Sequence, residues 1–514
     1  MRRSADIDHG AGSGDPEGER NARELAPSQA TASASEGPHA VHRSLFRGIA
    51  WAGLARTLTQ ALSWASTLLV ARLLIPADYG LVGMAALYIG LIRLISEFGL
   101  GSAVLVLRDL TRDQISQLHA FATLFGAGGF ALTLVAAYPL GIFFHSAALP
   151  NVVAVSGVVS LIAGFRSVPL ALLQRDRAFK EISVIEMKRS VVAISTVVAL
   201  ALLGAGYWSL VVNEIVATVY ASAITWKARP VTFRSPHFSS LRSAMRFSRD
   251  VVVSRIAWYA YTNSDFLVAG RVLGEAALGV YTFAWTLTNL PVEKITSVVM
   301  SVTPTFFAGA QDDNTQLRQY LLVLTEGVAL VGFPLAVGIS ITATDFISLA
   351  LGPKWMASVG PLRILAMYTL VRSVSPFVSQ ALYMTGRVRH VMWNSVVSMF
   401  VFPPGFYLAS HWGASGIAFA WVGLYPFVAW PLYHRLFTDI ELRWTEYAQA
   451  LAPSLLCCAA MACVVFVVHS HAMGMAVSLR FALEVGVGVI VYSGLIASFF
   501  RGRLVRFRRM MQPT

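Results

Sequence analysis

The stretch LLVARLLIPADYGL at 68–81 returns without gaps as LVAGRVLGEAALGV at 267–280. Leu68, Arg72, Leu74, Ala77 and Gly80 meet Leu267, Arg271, Leu273, Ala276 and Gly279. A second match keeps nearly the same spacing. ALLQRDR at 171–177 lies over ALYMTGR at 381–387, and GAGYWSL at 204–210 over ASGIAFA at 414–420. Two matches in the same order mark a duplicated unit. Each copy of the first stretch closes one apolar run and turns into the next. Gly80 and Gly279 are therefore expected to supply tight turns, and Arg72 and Arg271 to cap helix C-termini at a membrane interface.

The 514 residues around this repeat are 56% hydrophobic and 13% charged, with a mean hydropathy of +0.62. Soluble chains carry roughly a quarter charged residues, so composition excludes a large soluble enzyme. The net charge of +13 sits in short loops between apolar runs. That distribution points to an anionic lipid surface and away from nucleic acid. Cys457, Cys458 and Cys463 share one apolar run, which suits small buried hydrophobes and neither a disulfide nor a metal set.

Runs long enough to cross a bilayer number about 14, between residues 46 and 499. The expected fold is an all-α polytopic membrane protein. Residues 1–43 form a disordered cytoplasmic tail, 44–226 a six-helix bundle, and 227–249 a basic interfacial linker. A second six-helix bundle follows at 250–436, then two added helices at 437–500 and a basic tail at 501–514. No signal peptide precedes the first run. An even number of spans per copy makes the bundles parallel repeats about an axis along the membrane normal, a transporter design. Lys and Arg crowd the loops on one side, leaving little beyond Arg72, Arg271, Lys354 and Arg480 on the other. By the positive-inside rule both termini are cytoplasmic.

ARLLIPADYGL (71–81), EFGLGSAVL (97–105), NSDFLVAGRVLG (263–274), LGPKW (351–355) and TGR (385–387) resemble the polysaccharide-transporter branch of the MOP exporter superfamily, with its MATE-like architecture. The nearest likeness is to Wzx-type flippases. The resemblance implies movement of undecaprenyl-diphosphate-linked oligosaccharides from the cytoplasmic to the periplasmic leaflet of the bacterial inner membrane, for exopolysaccharide, capsule or O-antigen. It implies lipids, and polymerase and chain-length proteins of the same pathway, as partners. A multidrug or other amphiphile antiporter of the same superfamily is the alternative, and a membrane polymerase or ligase a more distant one. No catalytic motif, cofactor site or metal spacing stands out.

A polyanionic head crossing about 30 Å of hydrocarbon needs a wet cavity with fixed cations, and guanidinium forks suit phosphate. Charges inside spans are costly and mark such sites or structural pairs. Arg93 and Arg372 fall near the middle of the second and tenth spans, Arg56, Arg166 and Arg255 nearer the cytoplasmic side, and Lys294 mid-span after Pro291. These six are the candidate diphosphate and sugar ligands. Asp265, Glu214 and Glu97 are candidates for H⁺ or Na⁺ coupling, with Arg93–Glu97 or Arg56–Glu97 pairing as the structural alternative. Trp258, Tyr259, Tyr261, Phe283 and Trp285 are candidate sugar-stacking residues.

Overall fold

A backbone in hydrocarbon must satisfy its own N–H and C=O groups, which leaves helices or a closed barrel. This chain uses helices throughout the described residues. The computed structural model describes residues 60, 62–106, 110–235, 256, 258–309 and 313–500. The two tails and the linker segment 240–249 lie outside them.

Fourteen helical stretches occupy the positions of the expected spans. They are α1 (62–73), α2 (Pro76–Val106), α3 (Arg112–Phe144), α4 (Leu149–Arg175), α5 (Phe179–Leu202), α6 (Trp208–Ala228) and α7 (258–273). α8 (Gly274–Gly309), α9 (Asn314–Ala350), α10 (Val359–Met384), α11 (Val388–Ala409), α12 (Gly413–Asp439), α13 (Trp444–His471) and α14 (Val477–Phe499) follow. By length and apolarity nine stretches among the described residues qualify as bilayer spans, α7 with the start of α8 counting as one and α11 with α12 as another. The two complete helices that fall short are α5 and α10. They carry Glu186 with Arg189, and Arg363 with Arg372, so the shortfall locates the intramembrane charge.

The repeat is written in the packing. α2 packs on α3 and α4, α4 on α3 and α6, and α5 on α6. The equivalents α8 on α9 and α10, α10 on α9 and α12, and α11 on α12 recur in the second half. The loop match holds with a slip of one residue. Arg177 (φ 56°) corresponds to Gly386 (φ 75°) and not to Arg387, both being left-handed residues just past α4 and α10. Each closes the same cap, Ala178 donating to Leu173 at 2.9 Å and Arg387 to Leu382 at 2.8 Å.

The halves meet where α2 crosses α8, and here one expectation is corrected. Gly80 and Gly279 are not turn residues; both sit inside helices. A Cβ on Gly80 would strike the carbonyl of Glu275, and one on Gly279 the carbonyl of Pro76. Pro76 and Glu275 are themselves repeat equivalents, so the contact maps onto itself under a two-fold exchange. The glycines let two helix backbones touch. Arg72 is exposed. Arg271 reaches from α7 to the His145 ring, 2.5 Å from Nδ1, with its guanidinium 5.3 Å from the Phe143 ring centre. It therefore joins the halves and does not cap its own helix.

Further contacts gather at this same end, the gate end. Trp355 is fully buried against Tyr79 and Phe283, and its Nε1 donates to the Ala71 carbonyl at 2.8 Å. About two turns further along α2 from Gly80, the Tyr259 hydroxyl donates to the Leu87 carbonyl at 3.0 Å. The opposite, basic end differs. Among the described residues, Arg229–Asp176 and Arg234–Asp113 stay in the first half, while Arg387–Asp439 and Arg318–Glu446 stay in the second half and the α13–α14 hairpin. The halves are thus sealed at one end by contacts that the basic end lacks among the described residues.

Outward faces expose large apolar side chains, among them Val135, Tyr138, Phe427 and Ile490, as lipid contact requires. Alanine at Gly80 or Gly279 should destabilise the protein by at least about 2 kcal/mol, since rigid carbonyls leave no slack. Gly128→Ala, where a Cβ meets nothing within 4 Å, should stay within about 0.5 kcal/mol of the parent. Thermal unfolding in lipid nanodiscs reads both.

Candidate functional site

Counted at 1.5 Å per residue, Arg93 lies about 25 Å along α2 from the gate end. Its Nη1 is 3.7 Å from Oε1 of Glu214 on α6. Arg189 of α5 donates to both oxygens of the same carboxylate at 3.1 and 3.2 Å, and the Thr218 hydroxyl to one at 3.4 Å. Two guanidiniums thus gather on one carboxylate. Arg93 and Glu214 keep 45% and 42% of their side-chain surface open, so the charge is accessible and not sealed in a core. Arg189 was missed in the sequence, although the polar run EMKRS (186–190) inside an apolar span signalled it.

In the second half Arg372 of α10 lies 5.0 Å from the ring centre of Trp285 on α8, a cation–π contact. No carboxylate is within salt-bridge distance of Arg372 among the described residues. Trp285 belongs to an aromatic cluster with Phe266, Tyr368 and Trp421. Beneath it Asp265 is fully buried, accepting from the Tyr281 hydroxyl at 2.7 Å and from Trp421 Nε1 at 2.9 Å. Its Oδ1 has no partner.

The remaining candidates separate. Arg166 is 2.6 Å from Glu186 and donates from Nε to Thr225 at 3.2 Å, clamping α4, α5 and α6 together. Its guanidinium is committed to structure. Lys294 is exposed on α8 and is not brought to either arginine site. Arg56, Arg255 and the side chain of Glu97 lie outside the described residues, and the proposed Glu97 pairs with them. Of the aromatics, Phe283 is buried at the gate and Trp258 is exposed.

A cleft of about 560 Å³ opens between the seam and the added helices, lined by Trp64, Leu287, Pro291, Pro334, Val465 and Tyr492 among others. Its wall is almost wholly apolar, Glu484 being the one charged residue in it. Nothing in the sequence marks it directly, because no single helix is unusual; the cleft exists where α9 faces the α13–α14 hairpin.

The sequence model of the polysaccharide biosynthesis protein family matches residues 69–360, more than half of the chain. This chain belongs to that family. It is 25% identical over 429 residues to the teichuronic acid biosynthesis protein TuaB of Bacillus subtilis, covering 81% of this chain and 88% of that one. It is 23% identical to the lipopolysaccharide biosynthesis protein WzxC of Escherichia coli, covering 72% and 76%. Among solved structures, the lipid II flippase MurJ in an inward closed conformation superposes with a TM-score of 0.72 at 11% identity, over 88% of this chain and 99% of that one. An inward-facing multidrug MATE transporter reaches 0.57 at 15% identity, over 74% and 94%. These likenesses establish the all-α MOP fold of a multi-pass membrane protein. The MATE match covers less of this chain than the MurJ match does.

If Arg166–Glu186 is a structural clamp, Glu186→Gln should cost about 1–2 kcal/mol of stability, moderated by the half-open carboxylate. Export per folded molecule should change less than about twofold. Unfolding midpoints and complementation at matched expression read the two effects.

Proposed function

We propose that this protein moves polyprenyl-diphosphate-linked oligosaccharides across the bacterial inner membrane by alternating access of its two halves. The observation that carries the reading is the pair of mid-depth cationic sites, the Arg93–Arg189–Glu214 cluster and Arg372. A guanidinium in the hydrocarbon zone is costly; Arg372 has no carboxylate within salt-bridge distance among the described residues, and the half-open Arg93 shares Glu214 with Arg189. A diphosphate supplies negative charge and the bidentate geometry that guanidinium favours. The apolar cleft suits the tail, which can stay in lipid-like surroundings while the head crosses. The relatives named above carry names of polysaccharide biosynthesis, and the match to MurJ covers 88% of this chain where that to the MATE transporter covers 74%.

In this reading the gate end faces the periplasm, both termini are cytoplasmic, and the substrate enters from the basic end. Asp265 is the coupling residue. A buried carboxylate that accepts from Tyr281 and Trp421 through Oδ2, with no side-chain partner on Oδ1 among the described residues, accommodates H⁺ or Na⁺. Cation binding there would reorganise the cluster that holds Arg372. Polymerase and chain-length proteins would take the product on the far side.

Arg93→Ala and Arg372→Ala should each lower polymer export at least about tenfold, one guanidinium–phosphate contact being worth about 1.5–3 kcal/mol, while membrane levels hold. Complementation of a flippase-deficient strain, with immunoblotting, measures this. Full export by both variants would remove the cationic sites from the mechanism. A C-terminal alkaline-phosphatase fusion should be inactive, and activity would reverse the orientation.

A further inference from the structure

At the gate end, four ionisable side chains from three helices meet away from the arginine sites. Asp345 of α9 accepts from Nε and Nη2 of Arg480 on α14, each at 2.5 Å. One turn on, Glu484 of the same helix is 1% exposed and lies 2.6 Å from Nδ1 of His469 on α13. Its Oε2 is buried with no partner. Arg363 of α10 is the nearest further cation in the sequence of contacts, bonded to Thr344 beside Asp345 at 2.9 Å and exposed. Phe346 and Phe481 close one side of the group and, with Glu484, line the apolar cleft.

The charges do not balance. The Arg480 guanidinium is committed in bidentate fashion to Asp345, which leaves Glu484 as a second buried carboxylate without a cation of its own. A buried charge must be paired or neutralised. The neutralising species is a proton on His469 or on Glu484 itself, since their 2.6 Å contact lets either atom carry it. A divalent ion is the competing occupant, because ligand atoms of Asp345, His469 and Glu484 lie within 4.8 Å of one another. The geometry opposes it: both Asp345 oxygens are already taken by Arg480, which an ion would have to displace.

We propose that His469 and Glu484 form a proton-binding site that latches the α13–α14 hairpin to α9 at the gate end of the cleft. With the proton bound, the cluster is neutral and the hairpin is held. With the proton lost, an uncompensated carboxylate stands in the apolar wall and the latch loosens. The consequence for transport rests on the reading above: acidity on the gate side would then control access of the lipid tail to the cleft.

The test uses the full chain in nanodiscs and reads unfolding temperature from about pH 5.5 to about pH 9, independently of transport. The latch stabilises while the proton is present, so the parent should lose a few degrees as pH rises. Glu484→Gln, neutral at every pH, should lose that slope. An unchanged slope in Glu484→Gln overturns the proposal. So does a Zn²⁺-induced rise in unfolding temperature that His469→Gln abolishes, since that assigns the site to a metal. Should Glu484→Gln fail to fold, histidine NMR of the parent replaces it, with His469 assigned by its loss in His469→Gln. A His469 resonance that moves over this range supports the site, and an invariant one overturns it. Either negative result leaves the flippase reading standing.

Discussion

Everything in this architecture is referred to one contact, the backbone-on-backbone crossing of α2 and α8 at Gly80 and Gly279. Two long helices can approach this closely only where neither carries a side chain at the crossing. Because each glycine meets the first-turn carbonyl of the other helix, the contact is its own partner under the exchange of halves. Such a contact closes one end of a two-lobed molecule without a permanent chemical bond. Trp355, Arg271 and Tyr259 complete the seal with single hydrogen bonds to the opposite half. Each is weak enough to be exchanged when the lobes rock.

The electrostatics follow from that closure. Away from the sealed gate end, at mid-depth, the chain places two guanidinium sites of different surroundings. Arg93 shares Glu214 with Arg189, and Arg372 rests on an aromatic face. Arg166, by contrast, is bonded on two sides to neighbouring helices. In a low-dielectric setting this difference marks Arg166 as a group that holds helices together.

Much of the fold was legible in the chain itself. Apolar run length located the helices, and the repeat located their equivalents, because hydrocarbon thickness and duplication both leave one-dimensional traces. The role of the repeated glycine was not legible. A glycine after Pro76–Asp78 reads as a turn, and only the partner helix reveals it as a point of contact. The site was legible in part for the same reason. Arg93, Arg372 and Asp265 announced themselves as charges in apolar runs, whereas their compensation depends on Glu214, Trp285 and Trp421, which lie far away in sequence. Arg166 looked equivalent to Arg93 until Glu186 and Thr225 were found beside it. The cleft left no trace, since it is a space between helices and belongs to none of them.

The account requires the α2–α8 seam to part during each transport cycle. A Cβ on Gly83 would lie 3.5 Å from the Thr282 hydroxyl, within reach of a disulfide between Gly83→Cys and Thr282→Cys in a chain with Cys457, Cys458 and Cys463 replaced by Ala. Translocation of a labelled polyprenyl-diphosphate oligosaccharide in proteoliposomes should stop on oxidation and return on reduction. Undiminished translocation by the fully cross-linked protein would contradict the account.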